Sequence, residues 1–171
     1  MTAQESVTTA LVGCGALASV VALATRKQQR VAAGASALLL AAALLVAWSS
    51  APAAAPPHAL TLASACLAVA GGGLATTQVF AFVEDRERVR EAGAVLRGGA
   101  WIGALERLAV YVALVAGWAP GLAIVLAVKG LGRYPELRNQ DDTGVAERFI
   151  IGTFTSVLWA VACAGVTVIA P

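Results

Sequence analysis

Seven charged side chains in the second half of this sequence are the residues best placed to do chemistry. Glu106 and Arg107 are neighbours, Lys129 and Arg133 stand four apart and share one helix face, Glu136 follows them, and Glu147 and Arg148 open the last apolar run. Read as structure, they form an ion-paired clamp. Glu106 is expected to meet Lys129 or Arg133, because an unpartnered charge in a partly apolar layer costs about 3 kcal/mol; Glu136 and Glu147 are further ion-pair candidates. Read as a binding site, the cations Arg107, Lys129, Arg133 and Arg148 outnumber the three acids by one, leaving a positive charge for a phosphate or lipid headgroup. A proton relay through Glu106 is the weaker reading, since no second acid or histidine stands deeper in the apolar runs to receive the proton.

Other chemistry lacks its parts. Thr153 and Ser156 have no histidine beside them to act as base, and there is no G-x-S-x-G, Walker lysine loop or H-E-x-x-H. Asp141-Asp142 has no further acids at helical spacing. His58 is the only histidine and falls in a proline-rich loop, and the three cysteines, Cys14, Cys66 and Cys163, show no CxxC spacing. No catalytic residue, metal site or cofactor is therefore assigned, and the cysteines are expected to be small buried packers. Gly103, Gly152, Thr153 and Ser156 read as helix-contact residues facing the fourth and fifth helices, their hydroxyls bonding across or back to the preceding turn. Thr153 is also placed to bind a ligand oxygen at the depth of the charges.

The elements that must position these residues are membrane spans. Of 171 residues, 59% are apolar and 13% charged, against roughly 25% charged in an ordinary soluble domain. The 12 basic and 10 acidic residues leave a formal charge of +2, too balanced to argue for a nucleic-acid partner. A bilayer core of about 30 Å needs about 20 apolar residues in helical form. Residues 7–25, 31–49, 59–83 and 149–170 contain no Lys, Arg, Asp or Glu. Residues 100–118 qualify apart from Glu106 and Arg107 in their second turn. Residues 120–134 span only with Lys129 and Arg133 extended toward the headgroups. The expectation is an all-α, polytopic integral membrane protein with six transmembrane helices in one domain, 1–171.

Charge placement supports that count. Threading the chain back and forth places the first, third and fifth connections on one side, and all 12 Lys and Arg lie in them or within two turns. By the positive-inside rule these connections are cytoplasmic and both termini face outward. Trp48 and Trp118 then fall at outer ends, Trp101 and Tyr134 at inner ends, while Tyr111 and Trp159 lie near mid-span as helix-contact residues. The hairpin between the fourth and fifth spans is centred near Ala119, and Pro135 is expected to close the fifth helix.

Residues 84–97 are expected to extend the third helix into the cytoplasm, with Glu84 and Arg88 four apart. Pro52, Pro56 and Pro57 make an extended outer link. Gly71-Gly72-Gly73 allows close helix approach or, alternatively, a hinge. The amino end carries Glu5 and no basic residue before the first apolar run, which argues for a retained span over a cleaved signal, and over lipidation at Cys14.

Three ordered motifs in residues 99–165 carry a resemblance: W-I-G-A-L-E-R, A-V-K-G-L-G-R-Y-P-E-L and A-E-R-F-I-I-G-T-F-T-S. They resemble the carboxy-terminal membrane module of an uncharacterised family of bacterial integral membrane proteins, whose pattern is I-G-x-L-E-R, A-A-K-S with R-F, and E-Y-F-L-I-G-T with a following serine. Matching positions are Ile102, Gly103, Leu105, Glu106, Arg107, Ala127, Lys129, Arg133, Glu147, Phe149, Ile151, Gly152, Thr153 and Ser156. Gly130 stands where serine is usual and Arg148 where an aromatic is usual. The resemblance implies a multi-pass protein of the bacterial cytoplasmic membrane and brings no activity. Together, these readings give a non-enzymatic scaffold or accessory subunit whose charged inner-leaflet layer engages membrane lipid or a protein partner at the cytoplasmic face. Homo-oligomerisation stays open. Transport of a small solute or ion is the alternative, and a membrane-embedded enzyme the second alternative.

Overall fold

The computed structural model describes residues 3–25, 28–49, 58–83, 99–138 and 143–170, with backbone alone at Glu136, Leu137, Thr143, Gly144 and Val145. All regular structure among these residues is helical: α1 (Ala3–Thr25), α2 (Gln29–Trp48), α3 (His58–Val83), α4 (Gly99–Val115), α5 (Ala119–Arg138) and α6 (Thr143–Ile169). Four stretches, Ala3–Thr25, Gln29–Trp48, His58–Val83 and Ala146–Ile169, are long and apolar enough to cross a membrane. This is a multi-pass membrane architecture. α4 is shorter, at 17 residues, and α5 carries Lys129, Arg133 and Arg138. The expected extension over 84–97, the proline link, Asp141, Asp142 and the Glu136 side chain lie outside the described residues.

Small residues explain how the helices meet. Val12, Ala16, Leu40, Ala43, Leu67 and Cys163 belong to one core shared by α1, α2, α3 and α6, and alanines and glycines at such contacts let backbones approach closely. Hydroxyls join the helices where no water can satisfy the backbone. Ser19 and Ser36 share a hydrogen bond of 2.8 Å, Ser36 also donates to the Gly15 carbonyl at 3.2 Å, and Ser64 donates to the Cys163 carbonyl at 3.0 Å. Large apolar side chains face outward instead: Leu38, Leu45, Phe82 and Leu131 are all more than 70% exposed. An exterior of that kind suits acyl chains, not water.

Contacts set helix directions. Thr61 lies beside Tyr111, and Val69 beside Arg107, so α3 and α4 are antiparallel. Ser156 and Thr167 follow Arg107 and Tyr111 in order, so α6 runs with α4. α5 packs back on α4, through Gly121 against Ala113 at one end and Lys129 against Glu106 at the other.

The α4–α5 turn lies at 116–118, before the expected centre at Ala119. Gly117 adopts φ +71°, its N–H donates to the Leu114 carbonyl at 3.0 Å, and the Trp118 N–H donates to the Ala113 carbonyl at 2.8 Å. These are the paired bonds of a Schellman cap, which needs a left-handed residue that glycine supplies without strain. Pro120 then sits in the first turn of α5, where a missing N–H costs nothing. Pro135 does not close α5, which continues to Arg138. So near the helix end, proline removes one bond from a turn that has little left to lose.

Two cysteines correct the buried-packer expectation: Cys14 and Cys66 are exposed on the outer faces of α1 and α3, and Cys163 alone is buried. His58 is the first residue of α3, not part of the preceding loop. The aromatic residues divide by position. Trp48, Trp101, Trp118 and Tyr134 are exposed at helix ends, whereas Tyr111 is buried.

Candidate functional site

Glu106 and Arg107 are adjacent in sequence, so they leave α4 about 100° apart, and they reach different neighbours. Glu106 turns toward α5 and forms an ion pair with Lys129, both side chains being 16% exposed. Lys129 Nζ also stands 5.9 Å from the centre of the Phe149 ring, which brings the start of α6 to the same pair.

Arg107 turns the other way, into the seam between α3, α4 and α6, and is 7% exposed. Its Nε donates to the Val69 carbonyl at 3.0 Å and its Nη1 to Ser156 Oγ at 3.2 Å. Glycines make the room. A Cβ on Gly72 would stand 2.5 Å from Arg107 Cδ, one on Gly73 would stand 3.3 Å from Nη2, and one on Gly103 would stand 3.2 Å from Nη1. Gly71 serves Trp159 in the same way: a Cβ there would come within 2.8 Å of the indole, whose Nε1 donates to the Leu67 carbonyl at 3.0 Å. The triplet lies inside a continuous α3 and receives two large side chains, so it is a packing seat and not a hinge.

Arg107 was expected among the headgroup-binding cations; the structure instead places it inside the bundle, bonded to a carbonyl and a hydroxyl. Of the other cations expected there, Lys129 is paired with Glu106, Arg148 lies 4.3 Å from the centre of the Phe80 ring, and Arg133 is half-buried on α5. Glu147 is exposed.

The helix-contact residues also divide. Ser156 meets Arg107 of α4 as expected, whereas the nearest neighbour of Gly152 is Phe80 of α3, where a Cβ would stand 2.7 Å from the ring. Gly103 faces the guanidinium of its own helix. Thr153 Oγ1, one turn before Ser156, is buried with no hydrogen-bond partner among the described residues. Towards the opposite end of the seam, Tyr111 Oη donates to the Thr61 carbonyl at 2.8 Å and lies 2.9 Å from Thr167 Oγ1, tying the same three helices together.

Val69, the glycine triplet, Phe80 and Trp159 are the site residues not paired with the charges from sequence. One signal could have found them: three consecutive glycines at a depth matching a lone arginine on the antiparallel neighbour. Among the described residues no group of three or more His, Cys, Asp or Glu is arranged to hold a metal ion.

Comparison of the chain with protein-family models, with curated proteins and with solved structures finds no match. The reading of function rests on the geometry.

Proposed function

We propose that this chain is a non-enzymatic component of a bacterial cytoplasmic membrane, threaded through it six times with both termini outward, that acts as a scaffold or accessory subunit. The observation that carries the reading is the pairing of Glu106 with Lys129 beside a buried Arg107. These charges hold α3, α4, α5 and α6 in register, and side chains committed to neighbouring helices are not set up to turn over a substrate. Arg30 and Arg138 are exposed at helix ends, where cationic side chains attract the anionic inner leaflet at about 1 kcal/mol each. The resemblance of the three motifs to those of an uncharacterised bacterial family agrees with the same setting, Glu106, Arg107, Lys129 and Ser156 being among the positions that carry it.

Native mass spectrometry in mixed lipids tests this reading. The chain is expected to retain anionic lipid over zwitterionic lipid, and Arg133→Ala with Arg138→Ala to lower that enrichment. No preference in the parent chain, or one untouched by the double substitution, rejects the lipid-facing role. Transport is the second reading, favoured by the unpartnered Thr153 hydroxyl one turn from the Arg107–Ser156 bond. Uptake of a labelled anion by proteoliposomes, abolished by Thr153→Val, would move the assignment to that reading.

A further inference from the structure

An open cleft of about 480 Å³ lies at the end of the bundle where α2 begins and α3 finishes, lined by Gln28, Gln29, Arg30, Thr77, Gln78 and Ala81. None of these residues belongs to the charged layer of α4, α5 and α6. The volume falls within the roughly 300–1,000 Å³ typical of small-ligand sites.

The lining has a definite chemistry. Its described residues offer one guanidinium, three primary amides and one hydroxyl, and no carboxylate is among them. A guanidinium presents a rigid fork of donors that fits phosphate oxygens, and amides supply both donors and acceptors for neighbouring hydroxyls. Among these residues an oxyanion bearing hydroxyl groups finds both kinds of partner, a guanidinium for its charge and amides for its hydroxyls. Thr77 Oγ1 already donates to the Gly73 carbonyl at 2.7 Å and the Leu74 carbonyl at 3.0 Å, so recognition falls to Arg30 and the amides.

Two further observations narrow the occupant. Gln28 has φ +51°, the one positive value at a non-glycine residue among the described residues. The left-handed region is uncommon for a side chain of this type, and such departures gather at binding sites. Val31 and Phe82, next in sequence to the lining residues Arg30 and Ala81, are 67% and 92% exposed. An occupant with an anionic head and apolar tails would meet polar groups and exposed apolar side chains at once.

We propose that this cleft binds an anionic glycerophospholipid with a glycerol headgroup, with Arg30 on the phosphate, Gln29 and Gln78 on the headgroup hydroxyls, and the acyl chains running past Val31 and Phe82. The site lies apart from the α4–α6 layer but has Arg30 in common with the leaflet attraction proposed above, and the separate Arg30 and Arg138 substitutions tell the two apart.

The full chain in mild detergent is titrated with phosphatidylglycerol and, separately, with sn-glycerol 3-phosphate, and occupancy is read by native mass spectrometry. One saturable phosphatidylglycerol is expected, weakened about tenfold by Arg30→Ala and likewise by Gln78→Leu. Arg138→Ala should leave it unchanged, even where Arg133→Ala with Arg138→Ala lowers general anionic enrichment. Unaltered thermal unfolding of the lipid-free variants certifies their fold; Arg30→Gln serves where Arg30→Ala does not fold. Saturable, Arg30-dependent binding of sn-glycerol 3-phosphate would support the cleft and assign it to a soluble phosphate. Binding insensitive to both substitutions, or no saturable binding of either probe, overturns the proposal.

Discussion

At the scale of single residues, the decisive pairing is Arg107 with Gly72. Gly72→Ala would set a Cβ 2.5 Å from Arg107 Cδ, whereas Gly34→Ala meets nothing within 4 Å. The first substitution is expected to cost about 1–3 kcal/mol and the second nothing, since alanine is the better helix former. Denaturant titration in detergent compares them, and equal stability would remove Arg107 from its seat. Glu106→Gln leaves Lys129 without its counter-charge in a mostly buried place, so it should cost about 1.5–3 kcal/mol. Adding Lys129→Met should recover much of that loss, and additive losses in the double-mutant cycle would show the pair to be uncoupled. That Glu106 meets Lys129 or Arg133 was readable in the sequence, because residues equally distant from a hairpin turn share a depth; the structure selects Lys129. The burial of Arg107 was not. Its neighbour's charge suggested one exposed layer, while the step of about 100° between consecutive helix residues sends the two side chains to opposite sides.

At the scale of elements, the charge-free runs announced α1, α2, α3 and α6 because a helix is the one open-ended structure that satisfies its own backbone in lipid. Their margins were harder to place. α6 starts at Thr143, ahead of the expected 149, because the polar residues that leave the apolar run still favour helix. The α4–α5 connection was displaced for a similar reason: hydropathy does not record backbone handedness, whereas Gly117 with Pro120 three residues on is a cap-and-restart signal. Gly117→Ala must hold a Cβ at φ +71° and is expected to cost about 1–2 kcal/mol. A parent-like unfolding midpoint for that variant would mean that the turn can adopt another geometry. Outward-facing cysteines escaped notice because a lone thiol carries no periodic signal.

At the scale of the whole molecule, the proposed threading is read from the segregation of basic residues, a pattern independent of where any one helix ends. Single cysteines at Ala116 and Arg138, in a background with Cys14, Cys66 and Cys163 replaced, should label from opposite sides of the membrane, Ala116→Cys from outside and Arg138→Cys from inside. Labelling of both from one side would reduce the number of crossings. One feature of the bundle bears on how such a chain is made. Arg107 and the Ser156 hydroxyl it holds are separated by 49 positions. On the ribosome the cation therefore emerges well before its last partner, while the glycine seat on α3 is already synthesised. Under the proposed threading, α4 enters the translocon with a docking place behind it and its closing contact still to come, and α6 acts as the latch that closes the seam.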